Sequence, residues 1–169
     1  MPRRKDEGYE AESEERGLGY EIAADFNVNE EFKPDPLIPS GIYHANVTSV
    51  KFNPEEQTID WTFTLVDNGG VMNDGITPID GATLVYRNWL PKPGDENEMT
   101  RDGRRTKRQA KINMLHEFQK AMGIDMSTPQ KIAEALQNGD WIGLSADVRV
   151  RIREFEGRVF NDIDRVVRT

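Results

Sequence analysis

Between Ile59 and Leu65 the chain alternates apolar and polar side chains without a break: Ile59, Trp61, Phe63 and Leu65 on one face, Asp60, Thr62 and Thr64 on the other. A period of two is that of a half-buried strand, and two aromatics on its apolar face commit the chain to a sheet whose one side must be covered. Upstream, Asn53-Pro54-Glu55-Glu56 supplies a turn. Before it Tyr43, Ala45 and Val47 alternate with His44, Asn46 and Thr48 in a strand from Gly41 to about Phe52. Downstream, Asn68-Gly69-Gly70 opens an irregular stretch to Gly81. There Ala82, Leu84, Tyr86 and Leu90 begin to alternate with Thr83, Val85, Arg87 and Trp89, until Pro91 and Pro93 stop a third strand.

The period then lengthens. Ile112, Leu115, Phe118 and Met122 recur at helical spacing from Lys107 to Met122, with Gly123 suited to the C-terminal cap, and this stripe is expected against the sheet. A second, shorter helix is punctuated by Thr128 as N-cap, Pro129 at the first position and Asn138-Gly139 at the end, with Ile132, Ala135 and Leu136 on one side. Leu144, Ala146, Val148, Val150 and Ile152 return to period two, and a turn at Glu156-Gly157 sends the chain back through Val159 to Val167. Pairing Phe155 with Arg158 sets Arg151 opposite Asp162, Arg149 opposite Asp164 and Val150 opposite Ile163, and leaves Arg153 facing Phe160 as the stripe's one unpaired charge.

Three strands, a helical insert and two more strands make a mainly β, α+β chain. That order is the order of the oligonucleotide-binding (OB) fold, a five-stranded Greek-key β-barrel with a helix between strands 3 and 4; other small sheets with a packed helix share it. Of the net charge of −8, residues 1–36 carry −6, from eleven acids against five bases. Residues 1–19 lack the apolar side chains needed to offset the entropy of ordering, so residues 1–36 are expected to be an acidic, largely disordered tail and tether, and 37–169 a nucleic-acid-binding domain. Six bases against one acid then crowd residues 101–111: Arg101, Arg104, Arg105, Lys107, Arg108 and Lys111, with Asp102 among them. Local field governs encounter with a polyanion, so this loop keeps nucleic acid a candidate partner of an acidic chain.

The absence of cysteine excludes disulfides, thiolate metal sites and cysteine nucleophiles. His44 and His116 stand far apart without zinc-ligand spacing, no carboxylates gather with a base or nucleophile, and Gly69-Gly70 lacks the Lys-Ser/Thr ending of a phosphate loop. The expectation is a non-enzymatic protein without cofactor or metal. No apolar run reaches the length of a membrane span and no secretory signal is visible, which points to the cytoplasm.

Several stretches resemble a family of small bacteriophage proteins similar to phage single-stranded-DNA-binding proteins. They are Gly19-Tyr20-Glu21-Ile22 with Asp25-Phe26-Asn27, Ile38-Pro39-Ser40-Gly41-Ile42-Tyr43-His44-Ala45 with Val47, Trp61 to Asp67, Tyr86-Arg87-Asn88-Trp89-Leu90, the helix Leu115-His116-Glu117-Phe118 to Met122-Gly123, Trp141-Ile142-Gly143 and Gly157 to Ile163. The resemblance spans roughly residues 20–168. It implies an OB-fold barrel acting in phage replication or recombination in the host cytoplasm, beside recombinase and exonuclease partners that the acidic N-terminal segment would meet.

From the residues themselves, the loop bases would track phosphates along a single strand. The alternative is a solvated connection balancing the acidic tail. Arg87 and Trp89 should face outward on the third strand, where Trp89 either stacks on a base or seals the barrel mouth. Arg153 would add a free charge on the last hairpin. Self-association is left open.

Overall fold

Alternation places every second side chain of a strand on one side, and in this computed structural model, which describes residues 19–167, that side closes over Trp61. Five antiparallel strands form one sheet in the order β3-β2-β1-β4-β5: β1 (Gly41–Asn53), β2 (Thr58–Val66), β3 (Thr83–Trp89), β4 (Ser145–Phe155) and β5 (Arg158–Val167). β1 is the hinge of this arrangement. Its first half pairs with β4 from Gly41↔Val150 to Asn46↔Ser145, and from His44 onward it pairs with β2. A bulge between Val47 and Ser49, where β1 leaves β4, bends the strand so that it serves both halves of the sheet.

The chain divides into two units, Met1–Asp35 and Pro36–Thr169. In the first, the described residues hold one helical turn, α1 (Val28–Glu31), whose N-cap Asn27 accepts from the backbone N–H groups of Asn29 and Glu30. Tyr20, Ile22, Phe26, Val28 and Phe32 there are all exposed. The expected disordered tail lies outside the described residues except for Gly19, as do Arg168 and Thr169. Among the described residues no helix is long and apolar enough to cross a membrane.

In the second unit the helical insert lies between β3 and β4, as the period change predicts. α2 (Lys107–Met122) starts at the Thr106 cap and ends on Gly123 in the left-handed region (φ 70°), and α3 (Pro129–Asn138) starts at the Thr128 cap and ends on Gly139. α2 packs on β3, β4 and β5, and α3 on β1. The α2 stripe is shorter than expected: Phe118 and Met122 are buried and Leu115 packs on the core, but Ile112, 36% exposed, is not among the side chains packed there. The expected barrel closure is not made by hydrogen bonds. β3 and β5 are the two edges of an open sheet, and they approach to within 8 Å between Cα atoms without forming a ladder.

Trp61 is fully buried at the centre of the core. Its ring lies 4.9 Å from Phe118 of α2 and 5.1 Å from Trp141, which precedes β4, and its indole N–H donates to Asn88 Oδ1 at 2.6 Å. Each buried aromatic removes about 150–250 Å² from water, worth several kcal/mol at about 25 cal/mol per Å². Tyr43 meets the demand of its hydroxyl by donating to the Pro39 carbonyl at 2.6 Å. Replacing Asn88 by Ala strands the indole donor in a dry interior and should cost about 1–3 kcal/mol, measured as a lower urea midpoint. The same change in a Trp61→Phe background should cost less, because the orphaned donor is gone.

Candidate nucleic-acid interface

The segment after β3 is a built structure. A 3-10 turn over Asp95–Asn97 follows Gly94, and the carboxylate of buried Asp95 accepts from the Lys92 backbone N–H at 2.8 Å and from Lys111 Nζ at 2.7 Å. The chain then forms a small hairpin. Met99 bridges Thr106, Thr100 N donates to Arg105 O at 2.8 Å, and Lys107 N donates to Glu98 O at 2.7 Å. Gly103 supplies the left-handed residue of the turn (φ 71°). The lone acid of the cationic run, Asp102, closes this turn: its Oδ1 accepts from Thr100 Oγ1 at 2.6 Å and from the Arg104 backbone N–H at 3.0 Å. These bonds hold the carboxyl below the usual aspartate range, with nearby Arg105 adding to the effect.

This construction sorts the six bases. Lys111 is spent on Asp95, a pair with little solvent access, and Lys107 on Glu98 at 2.8 Å. Arg101, Arg104, Arg105 and Arg108 are exposed and close no ion pair among the described residues. Four guanidinium groups are thus displayed within eight residues, three on the turn and that of Arg108 in the first turn of α2.

The other sequence candidates lie elsewhere. Arg87 and Trp89 occupy the outer face of β3, as alternation requires. Arg87 Nε sits 2.9 Å from Asp60 Oδ1 directly across on β2, so its charge is neutralised in place. Trp89 stands opposite Thr58, which is fully buried, and is itself 42% exposed, so that its side chain is partly open to solvent. Arg153 faces Phe160 as expected, but its charge is not free. Its Nε lies 3.4 Å from Asp162 Oδ2, a diagonal neighbour across the hairpin. The rest of the expected register holds at Phe155↔Arg158, Arg151↔Asp162 and Val150↔Ile163. A register shift between Arg149 and Val150 sets Arg149 opposite Arg165 instead of Asp164. Arg149 still reaches Asp164 with two hydrogen bonds, 2.8 and 2.7 Å, and Arg151 Nε is 2.6 Å from the same carboxylate.

A cleft of about 690 Å³ adjoins the loop. Thr100, Asp102 and Arg105 line it from the loop, Tyr86 from β3, Met114, Glu117 and Phe118 from α2, and Asp164, Arg165 and Val166 from β5. Arg105 is therefore the candidate shared by loop and cleft. Arg153 is remote: β5 separates Phe160, its partner, from the cleft residues by about 13–20 Å of strand. Asn88, Tyr86 as a cleft wall, Asp95 and Arg165 are not among the sequence candidates. The parity of β3 could have exposed the first, since Leu84, Tyr86 and Asn88 share the inward face. Among the described residues no cluster of His, Asp or Glu is arranged to hold a metal ion. Compared with known proteins, the chain matches no protein-family model and no curated sequence.

Because Lys111 and Lys92 hold the Asp95 carboxyl below its ordinary value of 3.8, this group binds its proton less readily in the folded chain than in the unfolded one. Its contribution is complete above the ordinary value and is lost as pH falls through the lower, folded value. Urea midpoints followed from neutral to acid pH should therefore fall less steeply in Asp95→Asn, which starts from a lower plateau, than in the wild type.

Proposed function

We propose that this protein binds single-stranded DNA with little sequence preference, without catalysing a reaction. The observation that carries the reading is the display of Arg101, Arg104 and Arg105 on the hairpin and of Arg108 at the start of α2 without ion-pair partners among the described residues, in a chain that pairs Arg87, Arg149, Arg151 and Arg153 on the sheet with acids. Guanidinium groups suit phosphate oxygens, and each phosphate they neutralise releases counterions. Trp89 adds a partly open ring of the kind on which bases stack.

The sheet is read as an OB barrel left open at one seam. Its order, with β1 shared between β2 and β4 and the helices between β3 and β4, leaves β3 and β5 as the pair that such a barrel would bring together, and OB barrels are partly open. The resemblance to phage single-stranded-DNA-binding proteins extends the reading to phage replication or recombination. The acidic N-terminal segment, with Tyr20, Phe26 and Phe32 exposed, would dock a recombinase, exonuclease or replication protein. That same exposed segment favours a second reading, an interaction module of a replication or virion assembly that does not touch DNA.

Fluorescence anisotropy of a labelled oligodeoxynucleotide across a salt series separates the two. Binding at about 50 mM salt that weakens steeply as salt rises is the expected result. Joint Arg101→Gln, Arg104→Gln and Arg108→Gln substitution should lower the slope of log affinity against log salt by about 2, since each phosphate contact on a single strand contributes about 0.7. Trp89→Ala should abolish any tryptophan quenching by the oligonucleotide and weaken binding by the roughly 1–3 kcal/mol of one stacked base. No binding at low salt overturns the reading in favour of the interaction module.

A further inference from the structure

The cleft beside the arginine hairpin has a volume within the roughly 300–1,000 Å³ of ligand sites, and its walls divide into an apolar and a cationic part. Tyr86, backed by the parallel ring of Phe118 at 5.4 Å, and Met114, 59% exposed, form the apolar part. The Tyr86 hydroxyl makes no hydrogen bond to any described residue. Burial, with Asp162 and Asp164 nearby, pushes its pKa up, so it remains a donor at neutral pH.

Arg105 from the hairpin and Arg165 from β5 stand on the cationic side, and neither closes an ion pair among the described residues; Lys120 of α2 lines the cleft as well. The acids of the wall are largely engaged. Asp164 is held by Arg149 and Arg151, and one oxygen of Asp102 closes the turn. Glu117 remains, exposed on the helix side, 3.7 Å from His116. An added peptide strand does not suit the place: β3 and β5 are already within 8 Å of each other, and an inserted strand needs about 10 Å between its neighbours.

We infer that this cleft seats one nucleotide of the bound single strand, its base against Tyr86 and Met114 with the Tyr86 hydroxyl donating to the base edge, and its phosphate between Arg105 and Arg165. The inference rests on the single-strand reading above. Arg105 links the two, because a strand following the hairpin arginines reaches the cleft mouth at that residue.

The test is photo-crosslinking of the full chain to an oligodeoxynucleotide carrying 5-iodouracil, with the adduct located by peptide mass spectrometry, alongside anisotropy of variants. Adducts are expected on Tyr86 or Met114. Arg165→Gln should bind about tenfold more weakly, the loss of one charge-assisted hydrogen bond. Tyr86→Phe, which keeps the ring, should bind about threefold more weakly, Glu117→Gln more tightly, and Arg153→Gln as the wild type does. Full binding with adducts confined to Trp89, and with Arg165→Gln and Tyr86→Phe indistinguishable from the wild type, overturns the cleft inference and leaves the single-strand reading standing. Absence of binding by the wild type at low salt overturns both.

Discussion

The hydrogen bond from the Trp61 indole to Asn88 is the contact on which the rest of the molecule depends. Trp61 belongs to β2, Asn88 to β3, and the rings around the tryptophan come from α2 and from the turn before β4, so one side chain ties four parts of the chain together. It also sets the phase of β3. With Asn88 turned inward, Tyr86 must also turn inward, toward Phe118 and the cleft, while Arg87 and Trp89 must turn outward. A slip of one residue would exchange these faces. It would bury an arginine and a third tryptophan where a single acceptor now satisfies the Trp61 donor.

The charges are organised by a similar economy. Four cations on the sheet are met by acids on the neighbouring strand: Arg87 by Asp60, Arg149 and Arg151 by Asp164, Arg153 by Asp162. Such exposed or half-exposed pairs contribute little to stability, but they cancel the field of the sheet face. The hairpin before α2 does the opposite. Its one acid is used on the backbone of the turn, and its lysines are drawn back to Glu98 and Asp95, so that the arginines are what solvent meets. Arginine presents several fixed donors and gives up hydration more readily than lysine, which suits the phosphate contact proposed for this surface.

Much of the fold was legible because its signals are local. The end of α2 and both boundaries of α3 follow from Gly123, Thr128, Pro129 and Gly139, each of which acts within a turn of its own position. The strand faces follow from alternation, and the last hairpin's register from opposite charges on one face and branched apolar residues on the other. The failures are equally physical. The bulge at Arg149/Val150 and the diagonal reach of Arg153 to Asp162 depend on strand twist and side-chain length, which a list of directly opposed residues does not contain. The open seam between β3 and β5 depends on how far a curved sheet carries its edges, and no single segment records it.

The sequence by itself determined where strands and helices begin and end, which faces are apolar, and that a dense run of cations follows the third strand, because periodicity, caps and turns act over a few residues. Only the tertiary structure decided which of those cations are neutralised, that Asn88 meets the Trp61 indole, and that Tyr86, Arg105 and Arg165 share one cleft. These outcomes turn on contacts of a few ångströms between segments far apart in the chain, and the sheet must close over Trp61 before any of those distances exists.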